Sequence, residues 1–191
     1  MGLPTASMGQ DSPVVVRVPV TGVIEMGLAP FIERSIREAE ETGAAAIILD
    51  VDTPGGRVDA AERIADAISD SEVPIYAFVN RRAFSAGAMI SLATQRIYMR
   101  PGSVIGAVTP VDGSGTKASE KIVSAMRSEM RALAEAHEVD PAIAEAMVDE
   151  SLAIPDIVES GKLLTLTTEE AVLYDFARQT ADFTSLLGEL E

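Results

Sequence analysis

The chain has 191 residues, enough for one domain of ordinary size with a buried core. Apolar residues make up 47% and charged residues 24%, which is the balance of a folded protein and not of a disordered one. The net charge of −15 argues against nucleic acid or an anionic membrane surface as a direct partner, because phosphate binding needs lysine and arginine. Cysteine is absent, which excludes disulfides, thiolate metal sites and a thiol nucleophile.

The first segment, residues 1–13, is small and polar and lacks the basic-then-apolar layout of a signal peptide. We predict that it is a leader, either disordered or introduced during cloning. No apolar run reaches the 18 residues of a membrane span, so any membrane segment of the natural protein is expected outside this chain. Residues 14–191 show no repeat and no linker, and they are predicted to form a single domain.

Strands and helices are predicted to alternate along the chain. The first half is predicted as a strand or bent strand pair in VVVRVPVTGVI, a helix in LAPFIERSIREAEETG, a buried strand in AAAIILDVD, a helix in VDAAERIADAISDS and a buried strand in VPIYAFVN. The second half gives a helix opened by Ser85, strands on both sides of the Pro-Gly turn in RIYMRPGSVIGAV, a polar loop in VDGSGTKASE, helices in KIVSAMRSEMRALAEAHEVD and DPAIAEAMVDES, a strand and capped helix in GKLLTLTTEEAVLYDFARQ, and a last helical piece. This alternation predicts an α/β fold with a mostly parallel sheet.

Two strand-to-helix junctions are candidates for chemistry, because reactive groups of α/β domains gather where strands end and helices begin. In DVDTPGGRVDAAE, Gly55 and Gly56 free the backbone and leave amide groups uncovered, as a site for a developing negative oxygen requires. A bare Gly-Gly pair is more often only a tight turn.

The second junction, RRAFSAGAMISLA, places Ser85 before three small residues. A serine at a helix start is usually an N-cap. A sharp strand-to-helix turn can instead present the serine oxygen outward and aim the amide of Ala86 at the same point, as a nucleophile needs.

A serine hydroxyl needs a base to remove its proton. The single histidine, His137, lies near the end of a long helix, where an exposed histidine is ordinary. Of the three lysines, Lys121 begins the apolar helix KIVSAM and is expected to reach inward, where desolvation can leave the amine uncharged. Lys117 and Lys162 are expected on the surface. No histidine pair suggests zinc, and neither a metal nor a cofactor is predicted.

Four segments together resemble the N-terminal protease domain of the NfeD family, the membrane-bound, ClpP-class serine proteases also called stomatin operon partner proteins. They are ILDVDTPGGRVDAAERI, RRAFSAGAMISLA, MRPGSVIGAVTPV and SEKIVSAM, and they occur in the family's order and close to its spacing. The chain is also similar, more distantly, to signal peptide peptidase A and to ClpP. It covers the chain from about Val14 to about Leu187.

The resemblance implies a ClpP/crotonase-like fold and a Ser-Lys dyad, with the nucleophile falling on Ser85 and the general base on Lys121. The oxyanion hole would consist of backbone amides of Gly55 or Gly56 and of Ala86. It also implies cleavage of hydrophobic segments, including a stomatin-like membrane partner, and a homodimer or larger oligomer. The natural protein would be membrane-anchored, with this domain on the extracytoplasmic side.

The chain departs from the family pattern at three places. Phe84 stands where a small residue is common and would narrow a subsite, and the ending LYDFARQTADF lacks the usual glycines. The short loop from Val111 to Glu120 leaves Lys117 as a second candidate base. Two other classes stay open: a non-catalytic ClpP-like binding module, and a crotonase-like acyl-CoA enzyme, which would need more basic residues for the nucleotide phosphates.

Overall fold

A computed structural model describes residues 13–190, so the predicted leader lies, apart from Pro13, outside the described residues. The strands are β1 (Val15–Thr21), β2 (Ala46–Thr53), β3 (Ile75–Phe84), β4 (Arg96–Met99), β5 (Val104–Gly106), β6 (Thr165–Thr167) and β7 (Arg178–Gln179). The helices are α1 (Leu28–Thr42), α2 (Val58–Ser69), α3 (Ala86–Leu92), α4 (Glu120–Ala136), α5 (Pro141–Ala146), α6 (Thr168–Leu173) and α7 (Phe183–Leu190). No helix within this range is long and apolar enough to cross a membrane.

The strands form one sheet in the order β1-β2-β3-β4-β7, and β5 continues beside the end of β3. Every ladder is parallel except the one between β5 and β6. The predicted α/β class with mostly parallel pairing is therefore confirmed.

The two faces of the sheet are covered unequally. Alternate residues of β2, such as Ile47 and Leu49, pack on one face with residues of α1 to α4 in the main core. Ile48 lies on the opposite face, in a small cluster that Leu186 of α7 covers. Because α2 and α3 follow β2 and β3 directly, the turns that enter these helices meet at one edge of the sheet.

Strand β3 is longer than the sequence pattern predicted. VPIYAFVN suggested an end at Asn80, but the strand continues to Phe84. Its register against β2 shifts between the pairs Val51–Val79 and Thr53–Ala83, so two extra residues of β3 are accommodated in a bulge. Bulges commonly re-aim a strand next to a functional site, and this one lies directly before Ser85.

Candidate active site

Ser85 forms the sharp turn between β3 and α3, with φ 53° and ψ −120°. A positive φ is uncommon for a residue with a side chain and costs on the order of 1–3 kcal/mol. The Ser85 amide donates to the carbonyl of Gly106 at 2.9 Å, and the Ser85 carbonyl accepts from the amides of Ala88 and Met89. These bonds hold the strained turn in place.

The hydroxyl of Ser85 does not act as a helix cap. The residue occupies the N-cap position of α3, yet its side chain makes no capping hydrogen bond. The common interpretation of a serine at this position is therefore wrong for this chain. Ser85 is half-buried, and its hydroxyl remains available in the strand-turn-helix geometry that nucleophilic serines use.

The Gly-Gly turn packs directly against Ser85. Gly55 has φ 99°, and a Cβ placed on it would lie 2.7 Å from the Cβ of Ser85 and 2.9 Å from the carbonyl oxygen of Phe84. A Cβ on Gly56 would lie 2.1 Å from the carbonyl oxygen of Ile24. Both positions therefore exclude a side chain, and the backbone of one predicted junction touches the other.

The amides of the two glycines face different partners. The Gly55 amide is buried and donates to Oγ1 of Thr53 at 3.0 Å. On the other side of the turn, the Ile24 amide donates to the Gly55 carbonyl and the Arg57 amide donates to the Ile24 carbonyl, both at 2.9 Å. In such a parallel bridge, the N–H and C=O of the residue between, Gly56, point away from Ile24.

The direction away from Ile24 is toward the continuation of β3, because β2 lies between β1 and β3 in the sheet. Gly56 is exposed, and the backbone hydrogen bonds of residues 13–190 include none donated by Gly56 or by Ala86. The amides of Gly56 and Ala86, one from each junction, are thus among those left without an acceptor.

Thr53 is a buried residue of this site that the sequence analysis missed. Its Oγ1 donates to the Gly22 carbonyl at 2.6 Å while accepting from Gly55, and its side chain is fully buried. A Cβ on Gly87 would lie 2.3 Å from its methyl carbon. A threonine directly before Pro-Gly-Gly is a signal for a side-chain-bonded turn that could have identified it.

Lys121 lies in the first turn of α4, and its side chain is exposed. The sequence pattern predicted that Lys121 reaches inward, and this prediction is wrong for the described residues. Successive helix residues are about 100° apart, so Lys121 points away from Val123, Met126 and Met130, which form the buried side of α4.

The other candidate bases are held in different surroundings. Lys117 donates to Glu150 at 3.0 Å, and this hydrogen bond raises the pKa of the Lys117 amine. Lys162 pairs with Glu159 on the surface, as predicted. Burial lowers the pKa of His137, which lines a cavity with Ala93 at the far end of α3, about 12 Å from Ser85 along the helix. The structure does not bring His137 to Ser85.

An ion-pair network holds the first half of α4. Arg127 contacts Asp149 and also donates to Glu120 at 3.2 Å. The pKa of Asp149 is lowered, first because the amide and hydroxyl of Ser151 donate to it and further by the positive charge of Arg127. Asp149 and Glu150 together therefore fix both α4 and the loop that carries Lys117.

No group of three or more metal-ligating side chains occurs within the described part of the chain.

Comparison with known proteins places the chain in a family. The sequence model of the family described as "NfeD1b, N-terminal domain" matches residues 14–191. The chain belongs to this family. It is 42% identical to the membrane protein NfeD1b of Bacillus subtilis over 171 residues, which are 89% of this chain and 39% of that protein. It is 35% identical to the membrane-bound protease PH1510 of Pyrococcus horikoshii over 150 residues, 74% of this chain and 31% of that protein.

Solved structures agree with this family and with the fold that the resemblance implied. A lysine-to-alanine mutant of the 1510-N stomatin-specific protease, in complex with a substrate peptide, has a TM-score of 0.82 at 30% identity, over 93% of this chain and 80% of that chain. A serine-to-alanine mutant has a TM-score of 0.81 at 31% identity, over 93% of this chain and 84% of that chain. ClpP1 from Listeria monocytogenes, at 20% identity and a TM-score of 0.68 over 89% of this chain and 94% of that chain, shows the ClpP-like fold alone. The chain spans about two fifths or less of the curated relatives' length.

Proposed function

We propose that the chain is a serine endopeptidase domain in which Ser85 attacks a peptide carbonyl. The observation that carries this proposal is the strained Ser85 turn, whose hydroxyl does not cap α3 and which packs against a glycine turn that excludes side chains. Strain kept at a single residue by many backbone bonds is typical of functional sites. The similarity to a membrane-bound protease supports the same reaction class.

The oxyanion hole in this proposal consists of the amides of Gly56 and Ala86. The sequence left Gly55 and Gly56 as alternatives, and Gly56 is the better donor because the Gly55 amide already bonds Thr53. Two preorganised amides aimed at a developing oxyanion are each worth about 10²–10³-fold in rate.

Lys121 is the proposed general base, acting as an uncharged amine. Ser85 Oγ bonds to the carbonyl carbon and passes its proton to Lys121, and the Gly56 and Ala86 amides bind the resulting oxyanion. Collapse of the tetrahedral intermediate breaks the C–N bond of the peptide, and Lys121 gives the proton to the leaving amine. Water then gives a proton to Lys121 and attacks the ester. Breakage of the ester C–O bond releases the acid, and Lys121 passes its proton to Ser85 Oγ, which restores both groups.

This role requires the first turn of α4 to rearrange, because Lys121 points away from the buried side of its helix. The turn follows the polar loop of residues 111–119, which is exposed or half-buried throughout and can change with little loss of core packing. Desolvation beneath a bound substrate would then favour the neutral amine. Lys117 is less suitable, since its bond to Glu150 keeps the amine charged.

Exposed apolar side chains beside the site favour hydrophobic substrates. Val23 is 61% and Met26 42% exposed, and both lie within two residues of Ile24, which is hydrogen-bonded to the Gly-Gly turn. Ile122 continues the buried stripe of α4 beyond the core and is 50% exposed. The free C=O of Gly56 can accept a hydrogen bond from an extended chain laid between these side chains.

The proposed substrate, oligomeric state and cellular location of this chain are taken from its relatives. The 1510-N relative is named a stomatin-specific protease, and we extend a stomatin-like membrane partner to this chain as its substrate. We further propose that the chain forms a homodimer or larger oligomer. The full-length protein would be anchored in the membrane, with this domain on the extracytoplasmic side.

A non-catalytic binding module is the second candidate, and the exposure of Lys121 is the observation that favours it. A fluorophosphonate probe separates the two functions. The proposal expects labelling of Ser85 that is lost in Ser85→Ala, strongly slowed in Lys121→Ala, and unchanged in Lys162→Ala, a matched change of another exposed lysine. No labelling of the wild-type chain, alone or with an apolar peptide present, would leave only the binding module.

A further inference from the structure

Three parts of the candidate site meet at one buried side chain, that of Thr53. Its hydroxyl donates to the carbonyl of Gly22, where β1 enters the loop that contains Ile24. The same oxygen accepts from the amide of Gly55, and its methyl packs against Gly87 in the first turn of α3. Thr53 thus contacts the loop beside the site, the glycine turn and the helix that follows Ser85.

The hydroxyl has a specific effect on the two glycine amides. A free amide in a tight turn can rotate to follow whatever acceptor is present, and two adjacent glycines have few steric limits on such rotation. The hydrogen bond to Oγ1 of Thr53 prevents the Gly55 amide from rotating toward another acceptor. The bridge to Ile24 then fixes the next peptide, so that the N–H of Gly56 faces the continuation of β3.

We infer that Thr53 is a positioning residue, whose hydroxyl sets the orientation of the Gly-Gly turn so that the Gly56 amide, and not the Gly55 amide, faces the substrate oxyanion. This inference rests on the proposed function. It assigns the effect to the hydroxyl and not to the volume of the side chain. Thr53 touches neither substrate nor reacting atoms and acts only through the turn.

Two conservative variants separate the hydroxyl from the volume. Thr53→Val keeps the shape and the methyl against Gly87 but removes the donor and acceptor. Thr53→Ser keeps the hydroxyl and removes the methyl. If the hydroxyl orients the turn, kcat falls about 100-fold in Thr53→Val with KM within about two-fold, the size of effect expected for a displaced oxyanion donor. Thr53→Ser keeps kcat within about five-fold of the wild type.

A packing role predicts the opposite order, with Thr53→Val close to the wild type and Thr53→Ser impaired, and that order would overturn the inference. The measurements are kcat and KM on a fluorogenic peptide with apolar residues on both sides of the scissile bond, together with the rate of fluorophosphonate labelling. Amide exchange of Gly55 gives a readout that does not need activity. It should be slow in the wild type and Thr53→Ser and at least ten-fold faster in Thr53→Val, and equal exchange in all three contradicts the inference.

The two failures can be told apart. A wild-type chain that neither cleaves nor labels removes the proposed function, and this inference with it. A wild-type chain that cleaves, with the variants in the order that packing predicts, removes only the role of the Thr53 hydroxyl.

Discussion

The two halves of the candidate site are built differently. The nucleophile side, residues 53–56 and Ser85, is held by backbone bonds of about 3 Å and by contacts that exclude a Cβ. The lysine side, residues 111–122, is exposed or half-buried throughout and is held by turns within the loop and by ion pairs such as Lys117–Glu150. If the proposed function is right, the alcohol and the amide donors are oriented before substrate binds, whereas the base is brought in afterwards. The conformational change that completes the site would then occur in the segment that has few buried contacts to lose.

The largest effect is expected when the Lys121 amine is removed, which tests whether the lysine side supplies the base. Lys121→Ala should lower peptide cleavage by at least about 10³-fold, because a serine without its base is a weak nucleophile. Its melting temperature should stay within about 1 °C of the wild type, because the side chain is exposed. Peptide kinetics and thermal unfolding check the two parts. Lys162→Ala is the control, and equal activity of both variants would show that Lys121 is not the base.

A side chain at the glycine turn should damage both folding and chemistry. Gly55→Ala places a Cβ 2.7 Å from Ser85 at a positive φ, and we expect a loss of roughly 2–4 kcal/mol in the free energy of unfolding. Activity should fall by about 100-fold or more, because the strained turn must shift.

The matched control for that change lies on the lysine side. A Cβ on Gly113 meets no atom within 4 Å, so Gly113→Ala should change the free energy of unfolding by less than about 0.5 kcal/mol. Urea unfolding measures both variants. Equal and small losses at the two positions would mean that the nucleophile side is not the more rigid one.

The sequence predicted the positions of the two strand-to-helix junctions better than the direction of Lys121, and the reason is local. Ser85 and the two glycines are placed by short-range signals, namely a buried strand, small residues and a helix start, and these signals act within a few residues. The exposed direction of Lys121 depends on the rotation of α4 against the core, which Val123 and Met126 decide together with residues far away in the chain. The contacts of Thr53 could not be predicted from the junctions, because its partners Gly22 and Gly87 are distant in sequence and are brought to it only by the fold.

The apolar side chains near the site give a smaller effect on substrate choice. Val23→Ser should lower kcat/KM for an apolar peptide by about five-fold, since each lost hydrophobic contact is worth about 1 kcal/mol, while a polar peptide is affected less. Val14→Ser is a close control. Val14 is 62% and Val23 61% exposed, but they lie just beyond opposite ends of β1, whose seven residues span about 20 Å by strand rise. Equal effects of the two variants would remove Val23 from the substrate surface.

The smallest predicted effect concerns the ion pairs that anchor the lysine side, and it depends on pH. The pKa of Asp149 in the folded chain lies below its ordinary value of 3.8, so its contribution to stability is complete above about pH 4. As pH falls through the lowered pKa, that contribution is lost. Asp149→Asn, which keeps an acceptor for the Ser151 amide but no charge for Arg127, should therefore be less stable than the wild type at pH 7.

The same difference should narrow steadily below about pH 4, because the Asp149 carboxylate then binds a proton in the unfolded chain before it does so in the folded one. Urea unfolding of the two chains between pH 3 and pH 7 measures this narrowing. The free-energy gap should be modest, because Arg127 keeps a second partner in Glu120. A gap that stays constant across the range would mean that the Asp149 charge does not anchor α4.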